Sequence, residues 1–330
     1  MDYFLESNGS AGHVDFIASN FGGLKQWFRL YDYPRRLTAE LIDKITEKAE
    51  KEGRDYEVIH DCFDTLPKGL IIGDCGLLSM PSSKNGFTVG NLLDKGDYED
   101  ALSNAYDCFI KAKKIHDDWE QIYIQKTDFT LLNQLTQQVI DQLIGNQSSP
   151  KVGIQKDRFF GSATVDGARD YIETLTKPVK KRYFIKGRPG TGKSTFLKKI
   201  AEYALNQGFD VEIYHCSFDP KSLDMIILRE LDLCLFDSTA PHEYFPVRET
   251  DEVIDIYQIA VKPGTDEENM EQIAAFSSAY QKEICKATQY IRTAKYCLDK
   301  ADEKLYSLLD PALIGKMEQE MMQAMFDQTK

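Results

Sequence analysis

Several features are missing from this 330-residue sequence, and each absence excludes a class of protein. No apolar run approaches the roughly 20 residues that cross a membrane. The N-terminus has no basic and apolar stretches of a secretory signal, so we expect a cytoplasmic protein. Only 11 prolines and 21 glycines occur, which excludes collagen-like and low-complexity chains. The seven cysteines and five histidines form no C-x-x-C or H-E-x-x-H motif, so we expect reduced thiols and no His/Cys metal cluster.

The charge balance is acidic, with 40 Lys and Arg against 53 Asp and Glu and a net charge of −13. A broad surface that follows nucleic-acid phosphates is therefore not expected, although a local basic groove would still allow such a partner. The length favours two domains, each large enough for its own core.

The most specific motif is the glycine-rich loop GRPGTGKS at 187–194, which fits the pattern G-x-x-x-x-G-K-[ST]. A short predicted strand at 182–185 precedes it, and an apolar helical stripe at 194–205 follows. Glycines let the backbone wrap a phosphate chain, and a helix N-terminus adds partial positive charge. The predicted nucleotide-binding residues are Gly187, Arg188, Pro189, Gly190, Thr191, Gly192, Lys193, Ser194 and Thr195.

The motif predicts roles for two of its own residues, and a carboxylate further along the chain completes the predicted site. Lys193 would bridge the β- and γ-phosphates, and the Ser194 hydroxyl would bind Mg²⁺. A buried strand predicted at 231–238 contains Asp237, the expected Walker B carboxylate on the Mg²⁺ side. Ser238 stands where many ATPases carry a catalytic Glu, so phosphoryl transfer to another substrate stays open. No N-K-x-D motif favours GTP, and ATP is the expected nucleotide.

Four further residues are weaker catalytic candidates because they follow predicted strands. His215 and Asp219 come at the end of the strand predicted at 210–216, and Thr239 and Glu243 follow Asp237. Ligands of open α/β sheets bind at this edge. Turn formation explains Asp219 equally well, and a matching His60 in the first half favours a structural role for His215.

The sequence contains an internal repeat. Residues 34–64 align with 189–219 without a gap at an offset of 155. Eleven of the 31 positions are identical, whereas unrelated segments would share about two. Weaker similarities follow between 70–74 and the run ending at Asp237, between 105–108 and 279–282, and between 112–113 and 294–295.

At the same offset, the glycine loop aligns with residues 32–39, which contain no glycine. Thr38 stands in place of Lys193, and Asp32 would repel phosphate. We therefore predict a degenerate first half, 1–148, and an intact P-loop half, 149–330, joined by the polar turn-rich stretch 145–153.

The predicted fold is α/β, with two tandem three-layer P-loop-type units that have parallel sheets and pair with pseudo-twofold symmetry. Long helical segments are predicted in each half, at 97–124 and 128–144 and again at 267–308 and 311–328. Arg35 and Arg36 lie in the degenerate loop. They would bind phosphate in another way, or approach the intact site and assist catalysis.

The segments 187–202, 214–224 and 235–246 resemble a poorly characterised bacterial family of tandem P-loop proteins, described as ATPase-like or nucleotide-kinase-like. The resemblance covers the second half closely and the first half as its diverged copy. It implies ATP binding and a three-layer α/β fold. Both halves of such proteins can carry a glycine loop, and this chain departs from that pattern at 32–39.

We expect a Mg²⁺-dependent ATPase or ATP-driven switch, a P-loop hydrolase with one active site in the second half. A small-molecule or nucleotide kinase is an alternative, but its lid would carry clustered arginines, and the acidic segment 247–268 offers only Arg248. A further alternative is a scaffold whose helices bind protein or nucleic acid and which ATP reshapes.

Overall fold

The computed structural model describes residues 1–31, 33–80, 92–240 and 242–327. The elements of the first half are β1 (Asp2–Phe4), β2 (Glu6–Gly9), β3 (Gly12–Asp15), α1 (Ile17–Phe21), β4 (Gln26–Tyr31), α2 (Arg35–Lys51), β5 (Glu57–His60), β6 (Pro67–Ile72), β7 (Cys75–Met80), α3 (Lys95–Ile124) and α4 (Phe129–Leu143).

The second half repeats this order. Its elements are β8 (Gln155–Phe159), β9 (Gly161–Thr164), β10 (Gly167–Asp170), α5 (Ile172–Thr176), β11 (Lys181–Lys186), α6 (Lys193–Asn206), β12 (Val211–His215), β13 (Leu223–Leu228), β14 (Leu233–Asp237), β15 (Asp251–Asp255), α7 (Ile256–Ala260), α8 (Thr265–Glu268), α9 (Met270–Leu308) and α10 (Pro311–Asp327). Among the described residues, this half has β15, α7 and α8 as additional elements between β14 and α9.

Both halves contribute to one central sheet of eleven strands, so the predicted α/β class is confirmed, but the sheet is shared. Its order is β15-β11-β14-β13-β12-β8-β1-β5-β6-β7-β4. The halves join where β1 and β8 pair antiparallel through Phe4 and Phe159, which are 155 positions apart. Strand residues alternate between the two faces. Tyr183 and Ile185 pack with α6, and Phe184 packs with α5 on the other face.

The expectation of purely parallel sheets is wrong for one strand in each half. β6 runs antiparallel to β5 and β7, and β13 runs antiparallel to β12 and β14. The loops before these strands, 61–66 and 216–222, are too short for the crossover that a parallel pair requires. The other strands of each half run in one direction, so each half is a mostly parallel sheet with one reversed strand.

The structure extends the repeat to the start of the chain. Four elements of the second half begin and end 155 residues after their counterparts: β9 after β2, β10 after β3, α5 after α1 and β11 after β4. Asp32, the acid predicted at the first glycine position, falls outside the described residues.

The long helices α3 and α9 pack against each other in a cluster that includes Ala105 and Phe109 from α3 and Ala287 and Ile291 from α9. The two α9 residues lie 182 positions after the two α3 residues. This is also the offset between the similar pairs 112–113 and 294–295. The similarity between 105–108 and 279–282 does not fit this register. Among the described helices, none is both long and apolar enough to cross a membrane.

Each half gives its last helix to the core of the other half. Leu132, Val139 and Ile140 of α4 pack with α6 of the second half. Met325 and Phe326 of α10 pack with α2 of the first half. The predicted helical segments are confirmed. The boundary at 148/149 separates the two repeats, but it does not separate their hydrophobic cores, because α4 and α10 each pack on the other half.

A fully buried arginine lies where the halves meet. Arg158 on β8 donates from Nη2 to Glu57 Oε2 at 2.6 Å and from Nε to Asn20 Oδ1 at 2.8 Å. Its Nη1 lies 3.6 Å from Glu212 Oε2, and its guanidinium covers the ring of Tyr3. Glu57 and Glu212 occupy equivalent positions in the repeat, so one cation serves the same carboxylate of both halves. Burial raises the pKa of Glu212, but Arg158 and Arg229 more than offset this and hold it below its usual range.

We predict that Arg158→Met destabilises the fold by about 3–5 kcal/mol, because removing one partner of a buried ion pair leaves uncompensated carboxylates. Urea unfolding followed by circular dichroism measures this loss. The control is Arg36→Met, whose exposed pair with Glu40 should contribute less than about 1 kcal/mol. An Arg158→Met midpoint close to that of the control would contradict a central role for this residue.

Candidate functional site

The glycine loop connects β11 to α6 and depends on glycine at three positions. Gly190 and Gly192 have φ of 78° and 89°, in the left-handed region that favours glycine. A Cβ on Gly187 would lie 2.7 Å from Thr191 Oγ1. The buried Thr191 hydroxyl donates to Arg188 O at 2.8 Å and holds the loop closed. The chain therefore enters α6 through a turn built for close approach of a ligand to backbone N–H groups.

Three predicted site residues come together at the carboxyl edge of the second half. Lys193 Nζ donates to Arg188 O at 3.0 Å and lies 3.5 Å from Asp237 Oδ2. β14, which ends at Asp237, pairs parallel with β11, so the acid lies beside the start of the loop. Ser194 Oγ accepts from Leu223 N at 2.9 Å. The lysine, the hydroxyl and the carboxylate thus share one edge.

A second carboxylate lies next to Asp237. Met225 pairs with Phe236 across β13 and β14, so the adjacent residues Asp224 and Asp237 lie opposite each other. Burial raises the pKa of Asp224 to about 6, and the neighbouring Asp237 carboxylate adds to this rise. Two acids side by side with one of them poised near neutrality form an arrangement suited to proton transfer.

The first half also contributes to this edge, through the C-terminal part of α3. A Cβ on Gly190 would lie 2.6 Å from Glu120 O, so the loop packs directly on this helix. His116 Nδ1 lies 3.5 Å from Glu120 Oε1, and its ring is 5.8 Å from that of Tyr280. Burial, followed by the positive charges of Lys113 and Lys193, lowers the pKa of His116. Burial also raises the pKa of Glu120.

His116, Asp117 and Glu120 have ligand atoms within 4.8 Å of one another. The Lys113 ammonium lies against the Asp117 carboxylate and 3.5 Å from Asp219 Oδ2. Because an ammonium already neutralises this carboxylate, the group is poorly suited to a metal ion. The oxygen donors that suit Mg²⁺ lie instead at Ser194 and Asp237.

The remaining loop residues have contacts of their own. Arg188 donates to Asp266 Oδ2 from Nε and Nη2, at 3.0 and 2.8 Å, and to Gly187 O of the loop from Nη1 at 3.1 Å. Pro189 is half-buried and Thr195 is exposed on α6. Arg188 is thus held by Asp266 in the second half.

The candidates after β14 differ in position. Thr239 Oγ1 donates to Asp237 Oδ1 at 2.6 Å, so it orients the predicted Mg²⁺-side carboxylate. Glu243 is exposed and pairs with Lys186 at 3.4 Å. Of the two, only Thr239 contacts a site residue.

His215 and Asp219 belong to contacts that the first half repeats. His215 Nε2 is 2.8 Å from Asp157 Oδ1 and its Nδ1 is 2.8 Å from Pro220 O. His60 makes the same contacts with Asp2 at 3.0 Å and with Thr65 O at 2.7 Å. Because the half without a glycine loop makes the same contacts, these contacts indicate that the histidine stabilises the fold and does not take part in catalysis.

Asp219 likewise has a counterpart. It faces Lys113, and the equivalent Asp64 faces Lys295 at 3.0 Å. Each lysine also pairs with an acid one helical turn away, Asp117 or Asp299. This lysine cluster is therefore also common to both halves.

The two arginines of the degenerate loop pair with carboxylates, and one of these, Asp299, which lies 3.3 Å from Arg35 Nη1, belongs to the second half. Arg35 Nη2 lies 2.7 Å from Asp64 Oδ1 and 3.2 Å from Asp61 Oδ1. Arg36 is exposed and pairs with Glu40 on the same helix. The hypothesis that either assists the intact site is wrong for the structure described, because these carboxylates hold both.

Asp224, His116 and Glu120 are site residues that the sequence does not reveal. Asp224 lies at the start of its strand, and only the reversed direction of β13 brings it to the edge where β14 ends. His116 and Glu120 precede the loop by about 70 residues and reach it through α3. The repeat distinguishes them once the strand registers are known, because these place Lys68 where Asp224 stands, and Leu298 of α9 stands where His116 stands on α3.

Comparison of the chain with known protein families, curated proteins and solved structures finds no match.

We predict that His60→Ala and His215→Ala lower the free energy of unfolding by similar amounts, about 1–3 kcal/mol, because each removes a partner from a half-buried Asp. Chemical denaturation of both variants and the wild type measures this. A structural role requires the two losses to agree within about 1 kcal/mol. An unchanged stability for His215→Ala, with a specific loss of activity, would contradict it.

Proposed function

We propose that this chain is a Mg²⁺-dependent P-loop phosphohydrolase for ATP, with one active site in the second half. The observation that supports it best is the joint placement of Lys193, Ser194, Asp237 and Asp224 around a loop with left-handed glycines at the start of a helix. The family resemblance at 187–202 points the same way and remains a prediction, as does the P-loop fold.

Binding would rest on the loop and its lysine. The N–H groups at the start of α6 carry partial positive charge toward a phosphate chain. The Lys193 ammonium adds a full charge beside them, and its neighbour Asp237 provides the balancing anion at 3.5 Å. A nucleotide would compete with Arg188 O and Asp237 for this ammonium.

Magnesium fits the oxygen donors at this edge. Ser194 offers a hydroxyl and Asp237 offers a carboxylate, which are the hard ligands that Mg²⁺ prefers together with substrate phosphates. When bound, Mg²⁺ would neutralise charge that develops on the phosphates. Thr239 donates to Asp237 Oδ1, and Asp237 Oδ2 lies on the side of Lys193.

Asp224 is the proposed general base. A carboxylate with a pKa of about 6 is ionised at neutral pH and still basic enough to take a proton from the attacking water. His116 and Glu120 approach the loop from α3 and would position that water. At the matching place beside the first half, α9 carries Leu298 and Asp302 instead. The site would therefore need the first half even though that half has no glycine loop.

We predict that Lys193→Ala weakens ATP binding about tenfold to a hundredfold, because a charge-assisted hydrogen bond to phosphate is lost. Calorimetric titration with a non-hydrolysable ATP analogue and Mg²⁺ measures it. The control is Thr38→Val, the equivalent position of the degenerate loop, where binding should not change. Equal affinity in wild type and Lys193→Ala would remove the loop from the proposal.

We predict that Asp224→Asn retains ATP binding but lowers turnover about 10²–10⁴-fold, as expected for loss of a general base. Because the base acts deprotonated, the wild-type rate should rise with pH through about 6 and level off above it. Phosphate release, measured from pH 5 to 9 with and without a chelator of Mg²⁺, tests both expectations.

The control for this variant is Asp232→Asn, at the opposite edge of the sheet, where Asp pairs with Lys180 and Asn suits the left-handed backbone. Its rate and pH profile should match the wild type. A full rate in Asp224→Asn, or a profile flat through pH 6, would show that another group takes the proton.

A further inference from the structure

The first half contains a cavity of about 360 Å³ at the position that corresponds to the nucleotide loop of the second half. Arg35 lines it and aligns with Gly190, and Ser79 lines it at the end of β7 as Asp237 ends β14. Lys68 on β6 lines it and occupies the place of Asp224 on β13. Both acids of the intact site are thus replaced, one of them by a cation.

Ionised side chains are concentrated around this cavity although the scaffold does not need them. Lys68 pairs with the Glu6 carboxylate, and Arg35 pairs with Asp61. In the second half the positions equivalent to Glu6, Arg35 and Asp61 are Gly161, Gly190 and Cys216, none of which is charged. Buried ion pairs are often less stabilising than apolar residues of similar size, so their presence here calls for a role other than stability.

One buried donor at the cavity lacks an acceptor. Arg35 uses Nη1 for Asp299 and Nη2 for Asp64, but its Nε is buried with no hydrogen-bond partner among the described residues. A buried unsatisfied donor costs about 1–3 kcal/mol, so the carboxylates around Arg35 hold its side chain in place at the expense of this atom.

The helix N-terminus at this place is already occupied. Arg35 N donates to Asp302 Oδ1 at 2.7 Å, so a carboxylate from α9 sits where a phosphate would bind the first turn of α2. Burial raises the pKa of Asp302. A nucleotide triphosphate is therefore a poor ligand for this cavity.

The rest of the wall is mainly apolar and aromatic. It includes Leu66, Leu102 and Leu298 together with the tyrosine rings of Tyr98 and Tyr106. A volume of this size lies near the lower end of ligand pockets, which suits a small molecule. The wall therefore combines cationic, carboxylate and apolar side chains around one cavity.

We propose that this cavity is a second ligand site, which binds a free α-amino acid with an apolar side chain. The ligand carboxylate would be held by Lys68, its ammonium by Glu6 and Asp61, and its side chain by the leucines and tyrosines. Only a zwitterion pairs with both the cations and the carboxylates of the wall, and only an apolar side chain suits the rest of the cavity.

The experiment uses the full chain without nucleotide, so its result is independent of the proposed ATPase. Thermal unfolding is recorded with each of the standard α-amino acids, and any that stabilise are titrated by calorimetry. The corresponding amines, which lack the carboxylate, and acids, which lack the ammonium, are tested at the same concentrations. We expect saturable binding of at least one apolar α-amino acid and at least tenfold weaker binding of its amine and acid, about one lost charge-assisted contact each.

Two variants locate the site. Lys68→Met should weaken binding at least about tenfold through loss of a charged contact. Leu102→Trp should do the same by filling the cavity while leaving every charge in place, which covers the case in which Lys68→Met does not fold. Lys113→Met is the matched control, because it breaks an equivalent ion cluster, with Asp117 and Asp219, that includes no residue of the cavity wall, and it should bind normally. The proposal is overturned if no amino acid binds, if the amine or acid binds as tightly, or if Leu102→Trp binds like the wild type.

Discussion

The buried guanidinium of Arg158 is the contact on which the arrangement of the two halves depends. It lies in the strand that joins the half-sheets, and it faces a carboxylate from each half, Glu57 and Glu212. A repeat that brought two identical acids together at its junction would be unstable, because like charges in a dry interior repel strongly. The equivalent position in the first half is Tyr3, whose ring the guanidinium covers and whose hydroxyl donates to Glu57. The two halves can join symmetrically because this one pair of equivalent positions differs, with Arg158 in the second half and Tyr3 in the first.

The repeat provides an internal comparison that separates scaffold from chemistry. The histidine–aspartate contacts at the strand ends and the lysine clusters on the long helices occur twice, so they cannot depend on a nucleotide. Lysine, hydroxyl and paired acids at the loop occur once. The same comparison applied in the other direction identifies Lys68, Glu6 and Asp61, which only the first half carries and which surround its cavity. Each half therefore keeps one common framework and a different set of charges at its carboxyl edge.

Much of this organisation could be predicted from the sequence because it is local. The strand, loop and helix at 181–206, the long helices and the offset of 155 all follow from periodicity and spacing. The reversed strands could not be recognised from apolar patterns, since a short buried strand looks the same in either direction. With the direction unknown, nothing in the sequence places Asp224 beside Asp237. Nothing in the sequence near the loop pointed to His116, because that contact spans the two halves and depends on tertiary packing.

The exchange of helices explains why a half without a glycine loop would be retained. α3 begins beside the first-half cavity, where Tyr98 and Leu102 form part of the wall, and ends at Glu120 against the loop of the second half. α9 runs the other way and brings Asp302 to the first turn of α2. Each pocket is thus completed by a helix that belongs to the other half, and α4 and α10 tie the same halves through their cores. Without the first half, the glycine loop would lose the helix surface against which Gly190 packs. The two halves therefore form one folding unit, whatever each of them binds.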